Sequence, residues 1–209
     1  MNRRNALQQL GALALLASPV GLALGQAEGS FKVLQSPVPT NMPSKIEVLE
    51  FFHYGCSHCQ HFEPLVAKWA KSLPPDVVFV QVPTIWSKSL EGLARLYYTL
   101  LVVKRPDLHV KIFSDVQEKG LALDKPEILR NWAKANKLDV SAFIGAYESF
   151  GVQTQVRRAQ QLVNAYRIES VPTMAVAGRF LTSADMAGNS HEATLKVVDG
   201  LIERVRKGG

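Results

Sequence analysis

One stretch, Ile46 to Pro64, constrains the fold more than any other part of the chain. It reads IEVLEFFHYGCSHCQHFEP: an apolar run rich in β-formers, a break at Tyr54-Gly55, and then Cys56-Ser57-His58-Cys59. The apolar run predicts a central strand, and the residues after the break predict a helix that begins at Cys56. The chain has only these two cysteines, and their spacing allows a disulfide within one helical turn. The stretch therefore predicts a strand followed by a helix with a redox-active dithiol.

The position of Cys56 at a helix start favours its reactive thiolate form. A helix N-terminus presents unpaired N–H groups and a partial positive charge, worth up to ~2 kcal/mol to a partly buried anion. Because one pKa unit corresponds to about 1.4 kcal/mol, the helix end alone lowers the thiol pKa by about one unit. A larger decrease requires direct hydrogen bonds to sulfur and a nearby cation, and His58 can supply either. A strongly stabilised thiolate makes the disulfide an easily reduced oxidant.

The composition indicates a soluble globular protein with one domain and an insertion, or two small domains. The chain has 209 residues, of which 47% are hydrophobic and 20% charged. Its net charge of +6 falls to about +4 if a leader that contains Arg3 and Arg4 is removed. There is no basic run with interleaved aromatic residues, so we expect no nucleic-acid partner.

Residues 1–25 have the pattern of a secretory signal peptide. Arg3 and Arg4 precede an apolar run from Leu10 to Leu24, and cleavage is expected after Gly25 or, alternatively, Ala27. The alternative is a membrane anchor, but the run is shorter than the ~20 residues that a span needs. Export implies a compartment in which disulfides form. A disulfide across so small a loop cannot staple a fold, so we expect it to serve chemistry.

The rest of the chain predicts an α/β architecture with a largely helical middle. A short edge strand is expected within Phe31–Leu34, and a strand at Val77–Val82 completes a βαβ unit with the dithiol at the carboxyl end of its first strand. A hairpin centred near Ala177-Gly178 and an amphipathic helix over His191–Arg206 follow the helical region. We divide the mature chain into 26–86, a helical insertion over 87–155, and 156–209. Within the helical region, we expect helices to begin near Asp107, Asp124, Asp139 and Gly151.

Glu50 interrupts the apolar strand six residues before Cys56. A carboxylate inside such a strand should have a raised pKa or a paired cation. Two interpretations stay open: Glu50 manages the proton of Cys59, or it marks a strand end or a structural ion pair. His109 and His191 are most simply a surface residue and a residue in the first turn of a helix.

Three features together resemble one known family. They are LEFFHYGCSHCQHFEP, the helical insertion, and SVPTMAVAGRF before the hairpin and terminal helix. This arrangement resembles the thioredoxin superfamily and, within it, the DsbA family of periplasmic thiol:disulfide oxidoreductases, over about residues 31–207. The resemblance implies a thioredoxin fold with an inserted helical subdomain, in which 26–86 and 156–209 form the two thioredoxin-like parts.

The resemblance also implies a function and a set of partners. The protein would be an enzyme that donates its disulfide to unfolded or extended exported polypeptides, without a cofactor or metal. A DsbB-like membrane protein would reoxidise it in the periplasm. We expect a monomer, because the sequence contains no oligomerisation segment.

Individual roles follow from the same resemblance. Cys56 would be the exposed nucleophile, Cys59 the buried resolving thiol, and His58 the residue that stabilises the Cys56 thiolate. Val171-Pro172 would form a cis-proline loop that faces the disulfide and pairs with the backbone of an extended substrate, beside a shallow apolar groove.

Two further positions qualify this resemblance. Glu50 and Glu63 fall on acidic positions seen near the active site of family members, although Glu63 is more simply an acid on a helix surface. Ser57 is a departure, because the best-known dipeptide of the family is Pro-His. It adds a backbone N–H and a hydroxyl, and the sequence does not give the sign of their effect on the redox potential.

Three rival functions stay open. A disulfide reductase or isomerase would use the same fold, but an isomerase needs a dimerisation module, and the lead-in before Ile46 is short. The resemblance also favours an oxidase, because Val171, the residue before Pro172, is more typical of the oxidising members of the family. A zinc site would combine Cys56 and Cys59 with His53, His58 or His61. A peptide-binding chaperone would keep its activity without either cysteine.

Overall fold

The computed structural model describes residues 29–209, so the predicted signal peptide and both cleavage positions lie outside the described residues. Its centre is a five-stranded sheet in the order β1-β5-β4-β2-β3. The strands are β1 (Lys32–Val33), β2 (Ile46–Phe52), β3 (Val77–Pro83), β4 (Thr173–Val176) and β5 (Phe180–Ser183). β2 and β3 are parallel, whereas β2–β4, β4–β5 and β1–β5 are antiparallel.

Seven α-helices surround this sheet in the described part of the chain. They are α1 (Ser57–Ala70), α2 (Lys88–Val102), α3 (His109–Gln117), α4 (Pro126–Ala135), α5 (Val140–Tyr147), α6 (Phe150–Ala165) and α7 (His191–Arg206). The predicted α/β architecture, with its βαβ unit, edge strand and terminal helix, is confirmed. None of the helices within residues 29–209 is both long and apolar enough to span a bilayer.

β2 is buried on both faces, as its continuous apolar sequence predicts. Val48 packs with the apolar stripes of α1 and α7, and Leu49 and Phe51 pack with α6 on the opposite face. The strand thus lies between two hydrophobic cores, and its carboxyl end is held rigidly at the start of α1.

The helices between β3 and β4 build a third core around Phe52 and Tyr54, with residues of α2 to α5. α6 joins this region to the sheet, because Val152 and Val156 pack against Ala94 of α2, whereas Ala159 and Val163 pack against the sheet. The predicted boundary between residues 155 and 156 therefore falls inside a continuous helix.

The predicted helix starts are partly wrong. Asp139 does cap α5, since its carboxylate accepts a hydrogen bond from the Ala142 N–H at 2.9 Å. Asp107 caps no helix, because it lies in a 3₁₀ turn (Pro106–Leu108) and its carboxylate pairs with Arg105 at 2.8 Å. α3 follows this turn directly and begins without a side-chain cap.

Two further starts differ by one residue. α4 begins at Pro126 with Lys125, rather than Asp124, as its N-cap. α6 begins at Phe150, before Gly151, and the Ser149 hydroxyl accepts a hydrogen bond from the Val152 N–H at 3.2 Å.

The hairpin between β4 and β5 lies where the sequence predicts it. Ala177 and Gly178 both have positive φ, at 52° and 68°, and lie at the centre of a turn in which the Arg179 N–H donates to the Val176 carbonyl at 3.0 Å; Val176 pairs with Phe180 across this three-residue loop. The Val38 N–H donates to the Gly178 carbonyl at 2.8 Å, so the hairpin also anchors the proline-rich lead-in.

Candidate active site

The two cysteines lie at the N-terminus of α1. Cys56 is the N-cap residue, with extended backbone angles, and its sulfur accepts a hydrogen bond from the Cys59 N–H at 3.1 Å. Both are free thiols in this structure; Cys56 is 9% exposed and Cys59 is fully buried. A substrate therefore reaches an edge of the first sulfur, whereas the second is closed off from solvent.

Direct hydrogen bonds lower the pKa of Cys56 to about 7. The Cys59 side chain makes the largest contribution; burial opposes it, and the Cys59 N–H and the charge of the exposed His58 assist it. These contacts supply the part of the decrease that a helix end alone does not. Burial, and then the hydrogen bond to Cys56, raises the pKa of Cys59 far above its ordinary value. At neutral pH Cys59 is thus a thiol, while Cys56 is divided about equally between thiol and thiolate.

A cis peptide bond joins Val171 to Pro172 and faces this pair. The Cys56 thiol lies 3.5 Å from the Val171 carbonyl oxygen, and the Thr173 hydroxyl holds the loop by donating to the Ser170 carbonyl at 2.8 Å. The loop precedes β4, which runs antiparallel to β2, so it lies next to the carboxyl end of β2. Positions 56 and 171, although 115 residues apart, therefore meet at one edge of the sheet.

The cavity that lies beside Pro172 is mostly polar, and the apolar groove stays a prediction. Its volume is about 220 Å³, and most of its lining is polar: His58, Ser170, Val171, Pro172, Ser183, Ala184, Asp185, Asn189 and His191. The polar character arises because the segment between β5 and α7 supplies much of the wall. His191 lies in the first turn of α7, as predicted, and stacks on Phe62 with ring centroids 5.0 Å apart.

Glu50 lies well inside β2 and is fully buried. Its Oε2 accepts a hydrogen bond from the Gln81 side-chain amide at 2.9 Å, and its Oε1 has no hydrogen-bond partner among the described residues. Burial, and then the charge of Glu63, raises the pKa of Glu50 to about 8. No basic group pairs with it in residues 29–209, so the strand-end and ion-pair interpretations of Glu50 are wrong.

Glu63 and His109 are both 5% exposed, so the predictions that placed them on the surface are wrong. Glu63 Oε2 accepts from the Gln81 amide at 2.8 Å and lies 3.2 Å from His109 Nε2. His109 Nδ1 lies 2.6 Å from the Tyr54 hydroxyl. The sequence carried a signal for His109, since it stands at helical spacing before Ile112, Phe113 and Val116 on the buried face of α3.

His53 and His61, the other histidines considered as zinc ligands, have different surroundings. His53 packs edge-on against Trp86, with ring centroids 5.6 Å apart, and His61 is exposed on α1. Within residues 29–209, no cluster of three or more His, Cys, Asp or Glu side chains is arranged to hold a metal ion.

Comparison with known proteins agrees with this geometry. Residues 76–196 match the model of the DSBA-like thioredoxin domain family. The thiol:disulfide interchange protein DsbA of Bordetella parapertussis is 43% identical, over 95% of this chain and 96% of its own. The DsbA of Pseudomonas aeruginosa strain PAO1 is 35% identical, over 94% of this chain and 95% of its own.

Solved structures show the same similarity. A crystal structure of Pseudomonas aeruginosa DsbA superposes with a TM-score of 0.82 at 35% identity, and covers 86% of this chain and 94% of its own. The oxidoreductase NmDsbA1 of N. meningitidis has a TM-score of 0.79 at 29% identity, and covers 89% of this chain and 96% of its own.

A thioredoxin-like fold with a dithiol at a helix start, opposite a cis-proline loop, defines a thiol-disulfide oxidoreductase. This protein is an enzyme of that class. Within it, the chain belongs to the DSBA-like family: the domain model matches residues 76–196, and curated DsbA relatives match the chain over nearly its full length.

Proposed function

We propose that the protein oxidises exported polypeptides by donating a Cys56–Cys59 disulfide to them while they are unfolded or extended. One observation carries this direction of electron flow. The Cys56 sulfur accepts hydrogen bonds from Cys59, and these bonds lower the pKa of Cys56 to about 7. Because they stabilise the thiolate of the reduced pair, they favour loss of the disulfide to a substrate.

The reaction proceeds through a mixed disulfide. A substrate thiolate attacks the Cys56 sulfur, the bond between Cys56 and Cys59 breaks, and Cys59 leaves with the electron pair. The high pKa of Cys59 requires that its sulfur take up a proton at this step. A second substrate thiol, after losing its proton, attacks the substrate sulfur and releases Cys56 as a thiolate. Two electrons thus pass from two substrate thiols to the pair.

Glu50 is the proton source for Cys59 in this scheme. At neutral pH its carboxyl is largely protonated, because burial raises its pKa to about 8. The charges of Glu50 and Cys59 act on each other, so the two sites are electrostatically coupled. The carboxyl donates as the disulfide opens and accepts the proton again when the pair is reoxidised.

The backbone of the cis-proline loop is the substrate-binding element. Val171 is partly exposed and its carbonyl lies 3.5 Å from the Cys56 sulfur, so a strand aligned with this loop places its own cysteine at the nucleophile. The polar cavity beside Pro172 receives neighbouring side chains of that strand. His58, at the mouth of this cavity, stabilises the thiolate.

Membership of the family supports a proposal for the surroundings of the enzyme. We place the mature chain, cleaved near Gly25 or Ala27, in the periplasm as a monomer without a cofactor. A DsbB-like membrane protein accepts the electrons of the reduced pair and passes them to quinone. Residues 26–86 and 156–209 form the thioredoxin-like parts, and 87–155 form the helical insertion.

Two assays test the proposal. The oxidised protein should restore the disulfides of a reduced, unfolded model protein, and Cys56→Ser should abolish this activity. The glutathione equilibrium of the pair, measured by thiol trapping, separates an oxidase from a reductase. A pair that stays reduced until the buffer is far more oxidising than the cytosol supports donation. A pair that is already oxidised in mildly reducing buffer contradicts it.

A further inference from the structure

A chain of hydrogen-bonded polar side chains, all buried except the half-buried Gln81, runs from Glu50 of β2 to His109 of α3 and Tyr54. The Gln81 amide bridges Glu50 and Glu63, with N–O distances of 2.9 and 2.8 Å. Glu63 contacts His109 at 3.2 Å, and His109 contacts the Tyr54 hydroxyl at 2.6 Å. Residues of β2, β3, α1 and α3 therefore share one hydrogen-bonded network beneath the active site.

The network has two acids and only one group able to carry a compensating positive charge. Neither Glu50 nor Glu63 contacts a lysine or arginine among residues 29–209, and Gln81 donates hydrogen bonds without charge. His109 is the ionisable partner of Glu63. Because unpaired charge inside a protein is costly, His109 is the group that can offset a negative charge here.

His109 can accept a proton without losing either of its hydrogen bonds. In the neutral form, its Nε2–H donates to the Glu63 carboxylate and its Nδ1 accepts from the Tyr54 hydroxyl. In the charged form, Nδ1–H donates to the Tyr54 oxygen instead, and the bond to Glu63 remains. Burial raises the pKa of Tyr54 well above its ordinary value, so the phenol stays neutral in either case.

The imidazole of His109 is enclosed by aromatic rings except on one side, where it borders a cavity. The rings of Phe52, Tyr97 and Phe113 lie 5.2 to 5.4 Å from its imidazole. On the remaining side, His109 and Glu63 line a cavity of about 440 Å³, together with Lys71, Gln81, Tyr97 and Asp107. Lys71 and Asp107 are exposed, so they mark the solvent rim of this cavity.

The titratable and charged groups that face His109 are therefore few. They are Glu63 from α1, Lys71 just after its end, Tyr54 after β2, Tyr97 from α2, and Asp107 from the 3₁₀ turn, with Glu50 behind Gln81. Charge at the dithiol reaches this group of residues, because the Cys56 thiolate and Glu63 both raise the pKa of Glu50.

We infer that Tyr54, His109 and Glu63 form a proton-storing triad, in which His109 takes up a solvent proton through the 440 Å³ cavity when the disulfide is reduced. The inference rests on the proposed function, in which the substrate dithiol is the reductant. The disulfide gains two electrons; Cys59 takes its proton from Glu50, His109 takes one from solvent, and Cys56 becomes a thiolate. The proton on His109 offsets one of the two negative charges that then lie on Cys56 and Glu50; on reoxidation Cys59 returns its proton to Glu50 and His109 releases its own to solvent.

NMR of the histidine Cε1–H signals in the full mature protein tests this directly. The His109 signal is assigned by its absence from His109→Gln and followed with pH in the oxidised and reduced states. We expect its titration midpoint to be higher in the reduced state, and this difference to shrink in Tyr54→Phe, which keeps the ring. Identical midpoints in the two states would overturn the inference, and they can be measured on the wild type alone if a variant does not fold.

The pH dependence of the glutathione equilibrium gives an independent readout. As pH rises from about 7 to 8, Cys56 becomes largely a thiolate, and each proton that the protein takes up on reduction changes the equilibrium constant for its reduction by glutathione up to about tenfold per pH unit. We expect this constant, for reduction of the protein by glutathione, to rise more steeply with pH for His109→Gln than for the wild type. His61→Gln, which removes an exposed histidine, should keep the wild-type slope.

The outcomes separate this inference from the proposed function. Coincident slopes for the wild type and His109→Gln would overturn the proton-storing role, while oxidation of the model protein by the wild type would persist. Failure of the wild type to oxidise that model protein would instead overturn the proposed function, whatever the slopes.

Discussion

Replacement of Glu50 by glutamine should stabilise the protein at neutral pH. The carboxyl is fully buried, and burial, followed by the charge of Glu63, raises its pKa from 4.5 to about 8. The substitution keeps an oxygen to accept the hydrogen bond from Gln81 and removes the ionisable group. The native residue therefore carries a cost that grows with pH, and the variant does not.

The magnitude follows from the two pKa values. A group whose pKa is raised on folding contributes its full stability below the unfolded value, here 4.5, and loses it as pH rises to the folded value of about 8. The loss is about 1.4 kcal/mol per pH unit in this window. Relative to the wild type, Glu50→Gln should thus gain almost nothing at pH 4.5 and about 3 kcal/mol at pH 7.

Urea unfolding, followed by tryptophan fluorescence between pH 4.5 and 8 with both proteins in the same redox state, measures this difference. Glu91→Gln is the matched control, because the Glu91 side chain is 44% exposed and, among residues 29–209, pairs only with Arg95 along α2. Its effect should stay within about 0.5 kcal/mol at every pH. A stability gain for Glu50→Gln that does not vary with pH, or a loss at pH 7, would refute the reasoning.

Three other regions give further predictions. The reduced protein should develop ultraviolet thiolate absorbance with a midpoint near pH 7, set by the pKa of Cys56, and a midpoint near 9 would contradict this. His58→Ala should raise that midpoint only slightly, since the hydrogen bonds from the second cysteine contribute more than the imidazole charge. Asp115→Asn should cost about 2–4 kcal/mol in urea unfolding, because the buried carboxylate accepts bonds from two lysines and a tryptophan; unchanged stability would argue against it. Gly178→Ala should cost at least about 2 kcal/mol in the same assay, because φ is +68° and the new Cβ would lie 2.0 Å from the Val38 carbonyl oxygen; a neutral result would exclude that clash.

The parts of the fold that the sequence predicts well are those with local causes. A continuous apolar run, a break and two closely spaced cysteines lie within Ile46–Pro64, and β2 and α1 follow from them. The hairpin at Ala177-Gly178 is likewise set by its own residues, because few residue pairs tolerate two positive φ angles.

The buried acids show where local inference ends. Glu63 follows Cys59 and Phe62 and precedes Val66 at helical spacing, so periodicity places it on the buried stripe of α1. Because Glu63 is acidic, the sequence predicted a surface position for it. Its burial is tolerated because Gln81 and His109, which lie later in the chain, contact its carboxylate. Those partners come from β3 and α3, and nothing in the sequence around position 63 indicates them.

Some of the predicted helix starts were wrong for a related reason. Asp107 and Asp139 are the same residue type before apolar helical patterns, yet only Asp139 caps a helix. Asp107 is held instead by Arg105, two positions earlier, within a turn that the periodicity does not show. A capping residue thus competes with its neighbours, and the outcome depends on the turn that the chain adopts.

The spacing of Cys56 and Cys59 also bears on how the protein reaches its own native state. Each chain has two cysteines, so only one intramolecular pairing exists, and it closes a loop of a single helical turn. An oxidising environment cannot lock the newly made chain into a scrambled isomer. A newly made molecule therefore needs no existing copy of the protein to correct its disulfide pairing. A cell can begin to produce the protein when none is present.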